Sequence, residues 1–104
     1  MTKNEAAKAI RTTVNGKTIV TVTVNGETKR LGGARAARAE AVVVSAWTRP
    51  DGTGFRMEWN CRADAAAAQT EAHRLETMTE MRERGIRIPC TPAAWSIAVP
   101  VVNA

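Results

Sequence analysis

The chain has 104 residues, of which 44% are hydrophobic and 24% charged, with a formal net charge of +5. That length fits one small domain spanning residues 1–104 and leaves no room for a second core. The longest apolar runs, 41–44 and 65–68, fall far short of the roughly 18 residues of a membrane span, and residues 1–10 carry Lys3, Glu5 and Lys8 where a secretory signal would be apolar. A cytoplasmic protein is expected.

Two Asn-Gly pairs, Asn15-Gly16 and Asn25-Gly26, open the organisation of the chain. Asn-Gly suits the type I′ turn, whose two central residues need positive φ, so the segments around the pairs are predicted to form a three-stranded meander. Its middle strand, Lys17–Val24, alternates Val20, Val22 and Val24 with Thr21 and Thr23, one face buried and the other wet. The strands at 10–14 and 27–31 are shorter and more polar, as befits positions nearer an edge. Gly32-Gly33 breaks the pattern, and 34–39 reads as a loop or one helical turn.

Ala41–Thr48 holds three consecutive valines and ends near Trp47, a β-branched run expected to be buried on both faces. After the turn signature Pro50-Asp51-Gly52, Phe55, Met57, Trp59 and Cys61 alternate strictly with Arg56, Glu58 and Asn60, so a second hairpin follows. Residues 62–84 lack Pro and Gly and are rich in Ala, which predicts the one long helix, ended by Gly85 and started by Asn60 or Cys61 as cap. Its apolar stripe is Ala65, Ala68, Ala72, Leu75 and then Met78 or Thr79. Pro89 and Pro92 interrupt the chain. Trp95, Ile97, Val99 and Val101 then alternate with Ser96, Ala98 and Pro100, and because Pro100 cannot donate to a ladder, this last strand is expected at a sheet edge or to stop pairing there. The fold class is α+β: a mostly antiparallel sheet, built from meander, hairpin and C-terminal edge strand, with one long helix on one face. Phe55, Met57 and Trp59 are expected to share one core with Leu75 and Val20.

The chemistry is limited. Neither a spaced Ser-His-Asp set nor a G-x-x-x-x-G-K-S phosphate loop occurs, and His73 falls away from the alanine stripe, so no catalytic residues and no enzyme are expected. Zinc needs about four ligands in local pairs, and the chain offers only Cys61, Cys90 and His73, so both thiols are read as reduced and no metal or other cofactor is implied. Charge is more informative. Residues 1–26 sum to +3 (four basic against one acidic), 27–61 to +2 (six against four), and 62–104 to zero (five against five). The basic positions Lys29, Arg30, Arg35, Arg38, Arg49, Arg56 and Arg62 form the candidate partner-facing surface, suited to an acidic protein or to a phosphate backbone. Base stacking is not expected, because each aromatic residue alternates inward.

Three families share features with the chain. The stretch from Val24 to Gly33, VNGETKRLGG, followed by Glu40-Ala41, resembles the arm-site DNA-binding domain of phage integrases, where a three-stranded sheet precedes a helix; Val42–Val44 departs from that pattern by favouring a strand. Strands followed by an Ala-rich helix are similar to double-stranded RNA-binding domains, except that Arg62 beside Asp64 stands where those carry a basic cluster. Ala41-Val42-Val43-Val44, Pro50-Asp51-Gly52, Trp59 and Arg62-Ala63-Asp64 opening the Ala-rich helix resemble small uncharacterised accessory proteins of actinobacterial phages. This last resemblance implies a protein that binds a host protein or nucleic acid in the host cytoplasm, without a membrane. A basic, sequence-nonspecific nucleic-acid-binding domain is the alternative, and a homodimer through an edge strand is a further expectation.

Overall fold

Two Asn-Gly turns shape the first half of the fold. In the computed structural model, which describes residues 7–87 and 93–104, Asn15 and Gly16 have φ of 52° and 75°, and Asn25 and Gly26 have φ of 51° and 83°. Both central residues of each turn are left-handed, the type I′ geometry that matches the twist of a hairpin. The turns join β1 (Lys8–Val14), β2 (Lys17–Val24) and β3 (Glu27–Gly32) into the expected meander. A single helical turn, α1 (Ala34–Ala37), leads to the hairpin of β4 (Ala41–Thr48) and β5 (Phe55–Arg62). The long helix α2 (Ala65–Glu83) and the strand β6 (Trp95–Asn103) complete an α+β fold with sheet order β3-β2-β1-β6-β4-β5. The positions Cys90, Pro89 and Pro92 lie outside the described residues.

The two faces of the sheet are covered differently. On the outer face, Ala65, Ala68 and Ala72 of α2 pack on Ala41 and Val43 of β4 and Ala98 of β6, small side chains on both sides letting the helix lie close. The hydroxyls of Ser45 and Ser96, buried beside this layer, satisfy each other at 3.0 Å. The inner face gathers Ala9, Val20, Val22, Val24, Val42, Val44, Ile97 and Val99 into one core, with Leu31, Met57, Trp59, Cys61 and Trp95 packed against it. In a flat sheet β2 and β4, with two strands between them, would lie about 14 Å apart. Their valines share one core because the sheet curls over its inner face. α1 touches β2, β3 and β5 and so plugs the opening between the two sheet edges, with Ala36 fully buried. All of 41–46 is buried, so β4 is covered on both faces as its valine run suggests.

Four sequence expectations need correction. Met57 and Trp59 do pack with Val20, but Leu75 belongs to the helix on the other face, and Phe55, at the outermost position of β5, is 50% exposed. The helix starts at Ala65, capped by Asp64, whose Oδ1 accepts from the Ala67 amide at 3.0 Å; Asn60 and Cys61 remain in β5. At the other end Gly85 (φ 84°) donates to Arg82 O and Ile86 donates to Met81 O, the Schellman arrangement expected of a glycine C-cap. β1 and β6 are interior strands, not edges, and they pair in parallel through Ala9–Val101, Ile10–Val102 and Arg11–Asn103. Pro100 is tolerated there for a local reason. Val101 donates to Glu40 O on the β4 side, so the missing donor of Pro100 would point toward β1, one residue before that ladder begins.

Candidate binding surface

The seven basic positions do not form one cluster: Arg49 and Arg56 lie at one end of β5 and Arg62 at the other. Arg56 and Arg62 are separated by six residues of extended chain, about 20 Å. On the edge strand β3, Lys29 is exposed in the inner register beside Val22 and Arg30 in the outer register beside Thr21; near the Arg62 end of β5, Arg35 and Arg38 are exposed on α1 and its C-cap, on the inner side of the sheet. Arg62 reaches the same corner but is already engaged. Its Nε and Nη2 donate to Glu71 Oε1 and Oε2 at 2.9 and 3.3 Å, and its Nη1 donates to Cys61 O at 3.1 Å. This two-pronged pair ties the end of β5 to α2, and the bond to Glu71 raises the Arg62 pKa above its ordinary value. Next to it, burial pushes the Cys61 thiol up, against the opposing pull of Arg62 and Arg35.

A four-residue helix cannot hold itself. α1 is secured by a residue that sequence reasoning passed over, Arg11 of β1. Its Nη1 donates to Ala39 O at 2.7 Å and Ala37 O at 3.1 Å, and its Nε donates to Asn103 Oδ1 at 2.9 Å. A cation therefore sits at the carbonyl end of α1, where the backbone groups lack partners of their own. The sequence did carry a signal: two positions after the buried Ala9, Arg11 falls in the register that faces the interior.

At the other end, the turn between β4 and β5 presents Arg49 and Arg56. Asp51 braces the turn by accepting from Thr53 Oγ1 at 2.6 Å and from the Thr53 amide at 3.0 Å, which holds its carboxyl below the usual range, the hydroxyl contributing most. Gly52 and Gly54, with φ of 77° and 113°, allow the turn to close through Arg49 N–H to Gly54 O at 3.0 Å. Arg49 Nε also donates to Phe55 O at 3.3 Å, and the Phe55 ring itself is 50% exposed, on the face of β5 opposite to Arg56. The expectation that each aromatic points inward fails at Phe55. Trp47, Arg49, Pro50 and Arg56 line a shallow depression here, and the buried Trp47 Nε1 has no hydrogen-bond partner.

Between the two ends, the outer face of the meander has no helix over it, since α2 packs on β4, β5 and β6. By register with Arg30 and Thr21, it presents Ile10, Thr12, Ile19, Thr23 and Thr28, with Lys8 and Lys17 at its rim. Ile10, Ile19 and Thr21 are only half-buried, and Val14 and Val102 are exposed. A separate groove of about 330 Å³ runs between α2 and β6, flanked by Gln69, His73 and Glu76. Among the described residues no three His, Cys, Asp or Glu side chains gather into a metal site, and no helix is long and apolar enough to cross a membrane. Compared with known proteins, the chain matches no family model, no curated protein and no solved structure.

Proposed function

We propose that the protein is a small non-enzymatic binding module, of the kind phages use as accessory proteins, which acts in the host cytoplasm by covering a surface of a host protein. The observation that carries this reading is the uncovered outer face of β1–β2–β3, rimmed by the exposed cations Lys8, Lys17 and Arg30. An apolar and hydroxyl-rich centre with a charged rim is the usual make-up of a protein-contact patch, and the basic border favours an acidic partner. The triple change Lys8→Glu, Lys17→Glu and Arg30→Glu should weaken capture of the partner from nuclease-treated host lysate, whereas Glu80→Lys on the exposed side of α2 should leave it intact. Capture lost with Glu80→Lys and kept with the triple change would move the interface to the helix and overturn the reading.

A second reading rests on Phe55. An exposed ring at the turn that also carries Arg49, whose guanidinium bonds the Phe55 carbonyl, offers a stacking surface beside a cation, the elements of single-stranded nucleic-acid binding. Salt dependence separates the two. Phosphate-driven binding falls steeply with ionic strength, and each lost phosphate contact flattens the slope of log affinity against log salt by about one unit, while an apolar protein contact responds little.

A further inference from the structure

β5 is hydrogen-bonded to β4 alone, so one side of it is an open sheet edge. The bond from Arg49 N–H to Gly54 O sets the phase of the β4–β5 ladder, and the pairs Trp47–Arg56, Ser45–Glu58 and Val43–Asn60 follow in the same phase. The backbone groups of Arg56, Glu58 and Asn60 therefore point at β4, and those of Phe55, Met57 and Trp59 point outward. Of these outward groups, Phe55 O alone has a partner among the described residues, the Arg49 guanidinium. The side chains of the same three residues form an incompletely covered apolar row: Met57 and Trp59 are half-buried and Phe55 is 50% exposed. The opposite edge is defended differently. β3 carries exposed Glu27, Lys29 and Arg30, charges of the kind that discourage strand addition. On β5, α1 stands near the Cys61 end, which leaves 55–59 as the unguarded span.

We propose that this span pairs antiparallel with the same span of a second copy of the chain, about a two-fold axis at Met57. The register follows from charge and aromatic matching. With the axis at Glu58, that carboxylate would face its own copy. An axis at Arg56 opposes two arginines, and an axis at Trp59 sets Arg56 against Arg62 and runs the incoming strand toward α1. With the axis at Met57, Arg56 faces Glu58 of the other copy twice and Phe55 faces Trp59 twice, while the outward backbone groups fall into hydrogen-bonded pairs. Within one chain, Arg56 and Glu58 already lie 3.8 Å apart, side chains 61% and 39% exposed, and the two-fold pairing offers each a directly opposed partner. The two sheets then continue as one. This association is independent of the partner-binding reading, since it uses the β5 edge and not the outer face of β1–β2–β3.

Sedimentation velocity of the full chain over a range of concentrations tests the pairing. The unaltered chain should associate to a dimer, and Arg56→Glu or Glu58→Arg alone should raise its dissociation constant roughly tenfold or more, through two like-charge contacts per dimer. Mixing the two single variants should restore a heterodimer, and the double variant R56E/E58R should again form a homodimer. Such rescue also shows that the single variants are folded. A chain that stays monomeric up to roughly 1 mM, a dimer indifferent to either single change, or single variants that fail to complement each other would each overturn the proposal.

Discussion

Replacing Arg11 by Met removes the guanidinium while keeping a stem of similar length in the interior register. Three hydrogen bonds disappear. The one to Ala39 O at 2.7 Å is partly buried, and Ala39 itself is 1% exposed, so that carbonyl loses its partner where water cannot readily replace it. A bond from a charged donor is worth about 1.5–3 kcal/mol, and the exposed bonds to Ala37 O and Asn103 Oδ1 add only a little. The expected loss is therefore about 2–3 kcal/mol, a large part of the stability of a small domain. Urea unfolding should show it as a lower midpoint with unchanged slope. Native-state hydrogen exchange should localise it, since the amides of Ala37 and Ala39, which bond to Gly33 O and Ala36 O, would lose protection first. Arg11→Lys should recover only part of the loss, because a single ammonium cannot span both α1 and Asn103. A destabilisation below about 0.5 kcal/mol, within the usual range of a surface change, would refute the assignment of Arg11 as the clasp of α1.

Two further outcomes follow from the geometry. Val43→Ala and Val44→Ala should each cost about 2 kcal/mol by thermal or urea unfolding, since each valine is fully buried on a different face of β4; a near-neutral result at either would mean that face is not closed. Thr53→Val should return the Asp51 carboxyl toward its ordinary pKa in an NMR titration. Because the folded value is lowered, the contribution of Asp51 to stability is present above its unfolded pKa and is lost as pH falls through the folded one; Thr53→Val should reduce that pH dependence but not abolish it, since the amide bond of residue 53 stays.

The elements themselves were legible where a local rule decides them. The Asn-Gly turns, the alternation from Phe55 to Cys61, the valine run in β4 and Gly85 each describe their own surroundings, and local structure followed them. Neighbour relations were less legible. Nothing in Trp95–Asn103 says that this strand inserts between β1 and β4, and Pro100 argued against it until the direction of its missing donor was known. Core membership is hidden from the sequence for the same reason. Strand alternation tells which side chains share a face but not which cover lies on that face, so it cannot show that the sheet separates Leu75 from Trp59. At the candidate surface, residue type marked the exposed cations Lys29, Arg30, Arg35 and Arg38 correctly as to exposure, yet gave no means of telling them from Arg62, whose guanidinium is spent on Glu71, or of noticing Arg11.

The parallel pairing of β1 with β6 also bears on how the chain reaches this state. The meander closes through two tight turns, and β4, β5 and α2 are neighbours in sequence, so both parts form from contacts with short loops. The seam between them is different: Arg11 and Asn103 lie 92 residues apart and meet over only three ladder pairs. Bringing those segments together incurs nearly the full loop-closure entropy of the chain before much is gained in return. Closure of the β1–β6 seam is thus the step expected to come late, after β6 has joined β4 and α2, and until it closes the valines of β2 and β4 have no common interior to enter.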